Sequence, residues 1–264
     1  MISVLFWLLL ASVISCAAVS CPENCFCSPT DIDCSSINLA HLPSSLPSSE
    51  SVFVLSVAGN RIKNLPQKAF VSLKLLSLEV LELQSNHLET LSTGAFEGLP
   101  DLKTLRLSHN RLHVLSNGTF DHLNELRLLH LRYNDLQIIH DDAFRSLHKL
   151  QILDLSYNKL TTLSVTAFLH LRSVSQLKVV ENSLVCDCEF RNWMLWVEGR
   201  RMNTGAICFP DSSHDTIDWD KCDAPKPSVE VLSLPTLQGF LEFMTVFIIS
   251  YVLLSALSNI NRNR

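Results

Sequence analysis

Leucine recurs along this chain in a fixed frame. Around Asn110 the frame reads Leu102, Leu105, Leu107, Asn110, Leu112, Leu115, Phe120 and Leu123; around Asn158 it reads Leu150, Leu153, Leu155, Asn158, Leu160, Leu163, Phe168 and Leu171. The asparagine returns every 24 residues, at Asn86, Asn110, Asn134, Asn158 and Asn182, with Asn60 two residues off register. An alternation such as Leu105-x-Leu107 sets both side chains on one face of a short strand. One unit is too small to enclose its own leucines, so stacked units share one continuous core. The asparagine closes the strand, and its amide is expected to satisfy backbone groups of the turn and of the next unit. Phe70, Phe96, Phe120, Phe144 and Phe168 fall once per unit and are expected to stack as a spine on the convex side. Six strands about 4.8 Å apart predict a concave sheet on the order of 25 Å long. The interval from Asn60 to Asn86 is 26 residues, which places a local bulge near residues 74–77.

The cysteines flank this array. Setting aside Cys16, they form two groups, Cys21, Cys25, Cys27 and Cys34 before the units and Cys186, Cys188, Cys208 and Cys222 after them. Residues 4–13 are an apolar stretch of signal-peptide length, followed by the small residues Cys16, Ala17, Ala18 and Ser20. A secretory leader over residues 1–20 and clustered cysteines in even number together predict disulfides formed in an oxidising compartment. Zinc sites favour paired ligands two to four residues apart, whereas both groups contain a Cys-x-Cys pair. An end unit of a stacked array leaves one core face uncovered, so each group is expected to cross-link a small cap, at roughly 2–4 kcal/mol per bridge.

These features resemble the extracellular leucine-rich-repeat superfamily with cysteine-rich N- and C-terminal caps and a membrane anchor. The spacing of Cys21 to Cys34 is similar to that family's first cap. Cys186-Asp187-Cys188 followed by Trp193 and Trp196 is similar to its second. The usual Asn-Pro-Trp lead-in to the second cap reads Asn182-Ser183-Leu184 here. The resemblance implies an α/β solenoid, a leucine-rich-repeat horseshoe with short parallel strands on its concave face and disulfide-capped ends. It also implies the pairs Cys21–Cys27, Cys25–Cys34, Cys186–Cys208 and Cys188–Cys222, where sequence alone allows three pairings per cap. The expected organisation is a signal peptide over 1–20, the first cap over 21–50, six repeats over 51–184 and the second cap over 185–223. A linker over 224–240, a transmembrane helix or GPI signal over 241–260 and a tail over 261–264 follow.

The anchor has two readings. Residues 243–257 are 15 positions without a charge, about 22 Å as a helix against a hydrocarbon core of ~30 Å. Extended inward and ending in Arg262 and Arg264, this segment reads as a single-pass type I helix at the cell membrane. Its shortness, with small residues upstream, reads as a GPI-attachment signal. Either arrangement places the folded part outside the cell.

On the concave strands the outward positions fall into columns. Glu82, Arg106, His130, Asp154 and Lys178 lie between the paired leucines; Ser85, His109, Tyr133, Tyr157 and Glu181 precede the asparagine. Neighbours in a column interact across strands, so Glu82 with Arg106 and Asp154 with Lys178 form candidate neutralising pairs. The sharper reading is a ligand-binding patch of Arg106, His109, Arg127, His130, Arg132, Tyr133, Asp154 and Tyr157, because tyrosine and arginine dominate binding hot spots and a rigid sheet lowers their ordering cost. An acidic region of a protein partner is its expected complement. The sequon Asn117-Gly118-Thr119 falls between Leu115 and Phe120, off the concave face, and is the expected glycosylation site.

The chemistry of enzymes is not signalled. There are ten histidines, with no His-Glu-x-x-His spacing, and His140-Asp141-Asp142 has no nucleophile beside it. No catalytic residue, metal ligand, cofactor or small-molecule substrate is expected. A formal net charge of −5 argues against a nucleic-acid partner. The expectation is a membrane-anchored cell-surface protein that binds extracellular or membrane protein ligands, as Nogo-receptor-like proteins and variable lymphocyte receptors do. The alternatives are an auxiliary subunit of a membrane channel or receptor acting through its helix, like potassium-channel γ subunits, a GPI-anchored immune receptor like the variable lymphocyte receptors, and a secreted matrix protein.

Overall fold

A computed structural model of the protein describes residues 21–44, 46–47, 52–209 and 222. The leader expected over residues 1–20, and the linker, anchor and tail expected over 224–264, lie outside those residues. Among the described residues, no helix is long and apolar enough to cross a membrane.

Eight strands form one sheet in chain order. They are β1 (Phe26–Cys27), β2 (Asp31–Asp33), β3 (Val54–Ser56), β4 (Val80–Glu82), β5 (Thr104–Arg106), β6 (Leu128–His130), β7 (Ile152–Asp154) and β8 (Gln176–Lys178). β1 runs antiparallel to β2, and every later pair is parallel. The register keeps each repeat in phase: Leu55, Leu81, Leu105, Leu129, Leu153 and Leu177 are partners across successive strands and all are buried. The six strands read from the repeats are therefore extended by two more. The first cap does not merely cover the end; its hairpin continues the sheet, with Ile32 buried in register with Leu55.

The asparagine ladder differs from expectation in one respect. Asn110 Nδ2 donates to its own strand at Leu107 O and to the preceding repeat at Leu83 O, both at 3.0 Å, and its Oδ1 accepts from Leu88 N at 3.0 Å. Asn134, Asn158 and Asn182 repeat this pattern. The bonds reach back to the preceding repeat, not forward to the next. Each asparagine is buried, and the amide pairs backbone groups that the short strands leave over.

The phenylalanines stack at centroid distances of 6.0, 6.0 and 6.1 Å from Phe70 to Phe144, with planes within 15°. Phe168 breaks the stack with a 55° tilt. It sits at the end of the single-turn helix α1 (Val165–Phe168) and meets Trp193 and Trp196 at 5.9 and 5.7 Å. Those tryptophans belong to α2 (Cys188–Gly199), which starts where the Asp187 side chain accepts from Phe190 N at 2.8 Å, an N-cap. The second cap thus ends the spine by turning larger rings across it. Disulfides join Cys21 to Cys27, Cys25 to Cys34, Cys186 to Cys208 and Cys188 to Cys222.

The two extra residues of the first full repeat are absorbed away from the sheet. A 3-10 turn at Val71–Leu73 ends in Lys74 at φ 51°. Leu75 and Leu78 stay buried while Leu76 is exposed, and β3 and β4 remain in register.

Candidate ligand-binding face

In each repeat strand the residue between two buried leucines must point to solvent. Glu82, Arg106, His130, Asp154 and Lys178 are direct partners across β4 to β8. At one end of this column the charges close on each other: Arg106 Nη1 lies 2.9 Å from Glu82 Oε1, and alongside, Lys103 Nζ lies 2.5 Å from Glu79 Oε1. At the other end the expected pair does not form. Among the described residues, Asp154 and Lys178 close no ion pair. Aspartate is one methylene shorter than glutamate, and Asp154 Oδ1 is turned to its own strand's end, where it accepts from Ser156 N at 3.0 Å.

The column before the asparagine has a property that the leucine frame does not announce. Ser85, His109, Tyr133, Tyr157 and Glu181 all hold φ between 55° and 57°. A left-handed conformation costs a non-glycine residue on the order of 1 kcal/mol or more. The ladder fixes it: His109, Tyr133 and Tyr157 donate their backbone N–H groups to Arg132, Ser156 and Val180 carbonyls of the following repeat at 2.9, 3.1 and 2.8 Å. Because every rung turns identically, the side chains of this column come out side by side, with ring planes inclined by 24° and 30°. His109 stacks on Tyr133 at 4.5 Å and Tyr133 on Tyr157 at 4.4 Å between centroids.

Arg132, one residue earlier in its turn, lies against both tyrosines, its guanidinium carbon 4.7 Å from the Tyr133 centroid and 4.6 Å from that of Tyr157. Its Nη2 donates to the Tyr133 hydroxyl at 3.3 Å, a bond that raises its already high pKa. His130, half-buried in the neighbouring column, has its pKa lowered by burial; Asp154 opposes that shift and Arg106 and Lys178 add to it.

The structure therefore brings together His109, Arg132, Tyr133 and Tyr157 as one stack, with His130 and Asp154 on the adjoining column. It sets two other expected members apart. Arg106 is engaged by Glu82, and Arg127 is exposed beside Glu125, whose carboxyl it helps Lys149 to hold ionised. The sequence patch also omits residues that complete the surface. An open depression of about 400 Å³ is lined by Arg132, Tyr157, Asp154, Lys178 and Val180 together with residues 203–205 of the second cap. Thr204 reaches there by imitating another rung: its carbonyl accepts from Val179 N at 3.1 Å, as the Lys178 carbonyl accepts from Leu155 N at 2.8 Å. Gly205, at φ 64°, packs where a Cβ would come within 2.5 Å of Val180 Cγ2. That glycine is the only trace of this rung in the sequence.

Asn117 lies outside the eight-stranded sheet, after the two-residue strand Val114–Leu115. It is exposed, and its Oδ1 accepts from Asp142 N at 3.2 Å. Thr119 is buried with its hydroxyl on Ser116 O at 2.8 Å. Among the described residues no cluster of three or more His, Cys, Asp or Glu side chains is arranged to hold a metal ion.

A leucine rich repeat family model matches residues 77–136 and 125–184. Leucine-rich repeat-containing protein 3 of Danio rerio is 36% identical over 102 residues, 37% of this chain and 37% of that protein. Amphoterin-induced protein 1 of Mus musculus is 34% identical over 104 residues, 36% of this chain and 20% of the relative. Leucine-rich repeat-containing G-protein coupled receptor 5 of Bos taurus is 40% identical over 90 residues, 31% of this chain and 9% of the receptor. The chain thus matches well under two thirds of the length of these relatives. A solved TLR13–ssRNA13 complex superposes on 52% of this chain and 19% of that one, at 31% identity and a TM-score of 0.49.

Proposed function

We propose that this chain, a solenoid of leucine-rich repeats between two disulfide-bonded ends, is a cell-surface recognition protein whose concave face binds a protein ligand. The observation that carries this reading is the stack of His109, Tyr133 and Tyr157 with Arg132 laid against it. Surface tyrosines and arginines ordinarily pay rotamer entropy on binding; here the ladder has already ordered them. Preorganised aromatic and guanidinium groups of this kind are what interface hot spots are made of. The protein acts by binding, not catalysis, and carries its ligand outside the cell. Disulfides at both ends support passage through an oxidising compartment. Anchoring by the apolar segment 243–257, as a helix or a GPI signal, and glycosylation at Asn117 complete the reading.

Crosslinking on living cells tests it. Wild type, R132A/Y133A and R106A are expressed with an affinity tag and treated with a membrane-impermeant crosslinker. Partner adducts are expected with wild type and R106A and are expected to be lost with R132A/Y133A. Equal adducts from all three proteins would remove the concave face from the function. Release by a phosphatidylinositol-specific phospholipase decides between the two anchors.

A further inference from the structure

Resting on that reading of the concave face, we propose that the depression between Tyr157 and residues 203–205 is a subsite for a mixed-charge segment of the protein partner. An acidic side chain lies between Arg132 and Lys178, and an adjacent basic side chain lies on Asp154. All three charged residues line this one hollow. On the same sheet, Glu79 with Lys103 and Glu82 with Arg106 neutralise each other. Asp154 and Lys178 occupy the same column in direct register, and among the described residues they do not pair. One carboxylate oxygen of Asp154 is held by Ser156 N, which fixes its position without cancelling its charge.

The arginine is prepared for an anion. A guanidinium has five N–H donors, and the hydrogen bond to the Tyr133 hydroxyl engages one nitrogen, Nη2. Nε is enclosed, so the donors left for a carboxylate are those of Nη1 and the second hydrogen of Nη2. The two tyrosine rings hold the plane, so an arriving carboxylate meets donors that are already oriented. Opposite Arg132 the hollow is bounded by Val180 and by residues 203–205, kept close by the Val179 N to Thr204 O bond and by the absence of a side chain at Gly205. Two cations and one anion on such a surface exclude uniform chains. A polyanion meets Asp154 and a polycation meets Arg132 and Lys178, whereas alternating charge satisfies all three.

The test uses the full chain in detergent and short fluorescent peptides of glutamate only, lysine only and alternating glutamate and lysine, with binding read by anisotropy. The alternating peptide is expected to bind saturably and more tightly than either uniform peptide. Lys178→Glu and Asp154→Lys are each expected to weaken it by about tenfold. The double variant D154K/K178E is expected to recover, because an alternating chain needs only to shift by one residue. The glutamate peptide is expected to gain affinity with Asp154→Asn. Absence of saturable binding by the alternating peptide, or equal binding to wild type and both single variants, overturns the subsite. If that happens while crosslinking still depends on Arg132 and Tyr133, the concave-face reading stands and the subsite alone is wrong.

Discussion

Between β4 and β5 the concave face is occupied with itself. Glu79 holds Lys103 and Glu82 holds Arg106, so the charges presented there are largely spent on one another. Between β6 and β8 the column of Glu82 and Arg106 continues as His130, Asp154 and Lys178 without ion pairs among the described residues, and the turns that follow the strands carry Arg132, Tyr133 and Tyr157, organised by ring stacking. The backbone beneath is the same in both regions, with the same strand length, the same asparagine bonds and the same left-handed residue before each asparagine. A periodic scaffold thus separates the two jobs. Buried positions specify the stack, and a change of one methylene or one ring at an exposed position decides whether a rung closes an ion pair with its neighbour or leaves its charge unanswered.

The largest expected effect tests whether the scaffold is truly common to both halves. Asn110→Ala and Asn158→Ala each remove an amide that bonds the preceding repeat, its own strand and the intervening turn. Buried groups left unpaired cost about 1–3 kcal/mol each, so each variant is expected to lose on the order of 4 kcal/mol in a urea titration under oxidising conditions. The two losses are expected to agree within about 1 kcal/mol. A large inequality would mean that the halves differ below the surface as well as on it.

Partner binding comes next in size. Tyr157→Ala and Arg132→Ala are expected to cost about 2 kcal/mol or more, as for hot-spot residues. Arg106→Ala, whose charge is already answered by Glu82, is expected to cost less than about 0.5 kcal/mol. Surface plasmon resonance with the crosslinked partner measures all three. A loss at Arg106 as large as that at Arg132 would erase the distinction between the halves.

Much of the fold was legible in the sequence. Period, alternation and the phenylalanine column give the stacked core, since each is a rule about which side chain is buried. The direction of the asparagine bonds was not, because spacing says that an amide sits at the strand end and not which neighbour leaves groups over. The sheet's first two strands were hidden because residues 21–34 carry no leucine frame. Of the candidate face, the columns were legible and the partners within them were not. Glu82–Arg106 and Asp154–Lys178 both read as opposite charges in register, and the shorter aspartate, held by Ser156 N, separates them. Residues 203–205 escaped because they join the face through a carbonyl, and every residue has one.

A smaller effect concerns the pairs themselves. A double-mutant cycle on Glu82 and Arg106 is expected to show a coupling of about 0.2–1 kcal/mol, as exposed pairs do. The same cycle on Asp154 and Lys178 is expected to give a value near zero. Equal couplings would show that the two pairs behave alike in solution and that the second half is no more available than the first.

The smallest effect is a pH dependence confined to the second half. Burial holds the His130 pKa below its ordinary value, although Asp154 pulls it upward. The native protein therefore binds fewer protons at this site than the unfolded chain does over the window between the two pKa values. The sign follows: the His130 contribution is favourable above the ordinary histidine pKa of about 6.5, and stability falls as the solution is acidified from there toward the native value. Comparing wild type with His130→Gln by thermal unfolding between about pH 8 and pH 5 isolates this residue from the other histidines, and the wild type is expected to lose more stability on acidification. Asp154→Asn removes the carboxylate that favours the imidazolium, so it is expected to steepen that loss. If Asp154→Asn leaves the slope unchanged, the aspartate does not face His130 in solution, and its carboxylate is turned more fully toward the hollow than the column geometry implies.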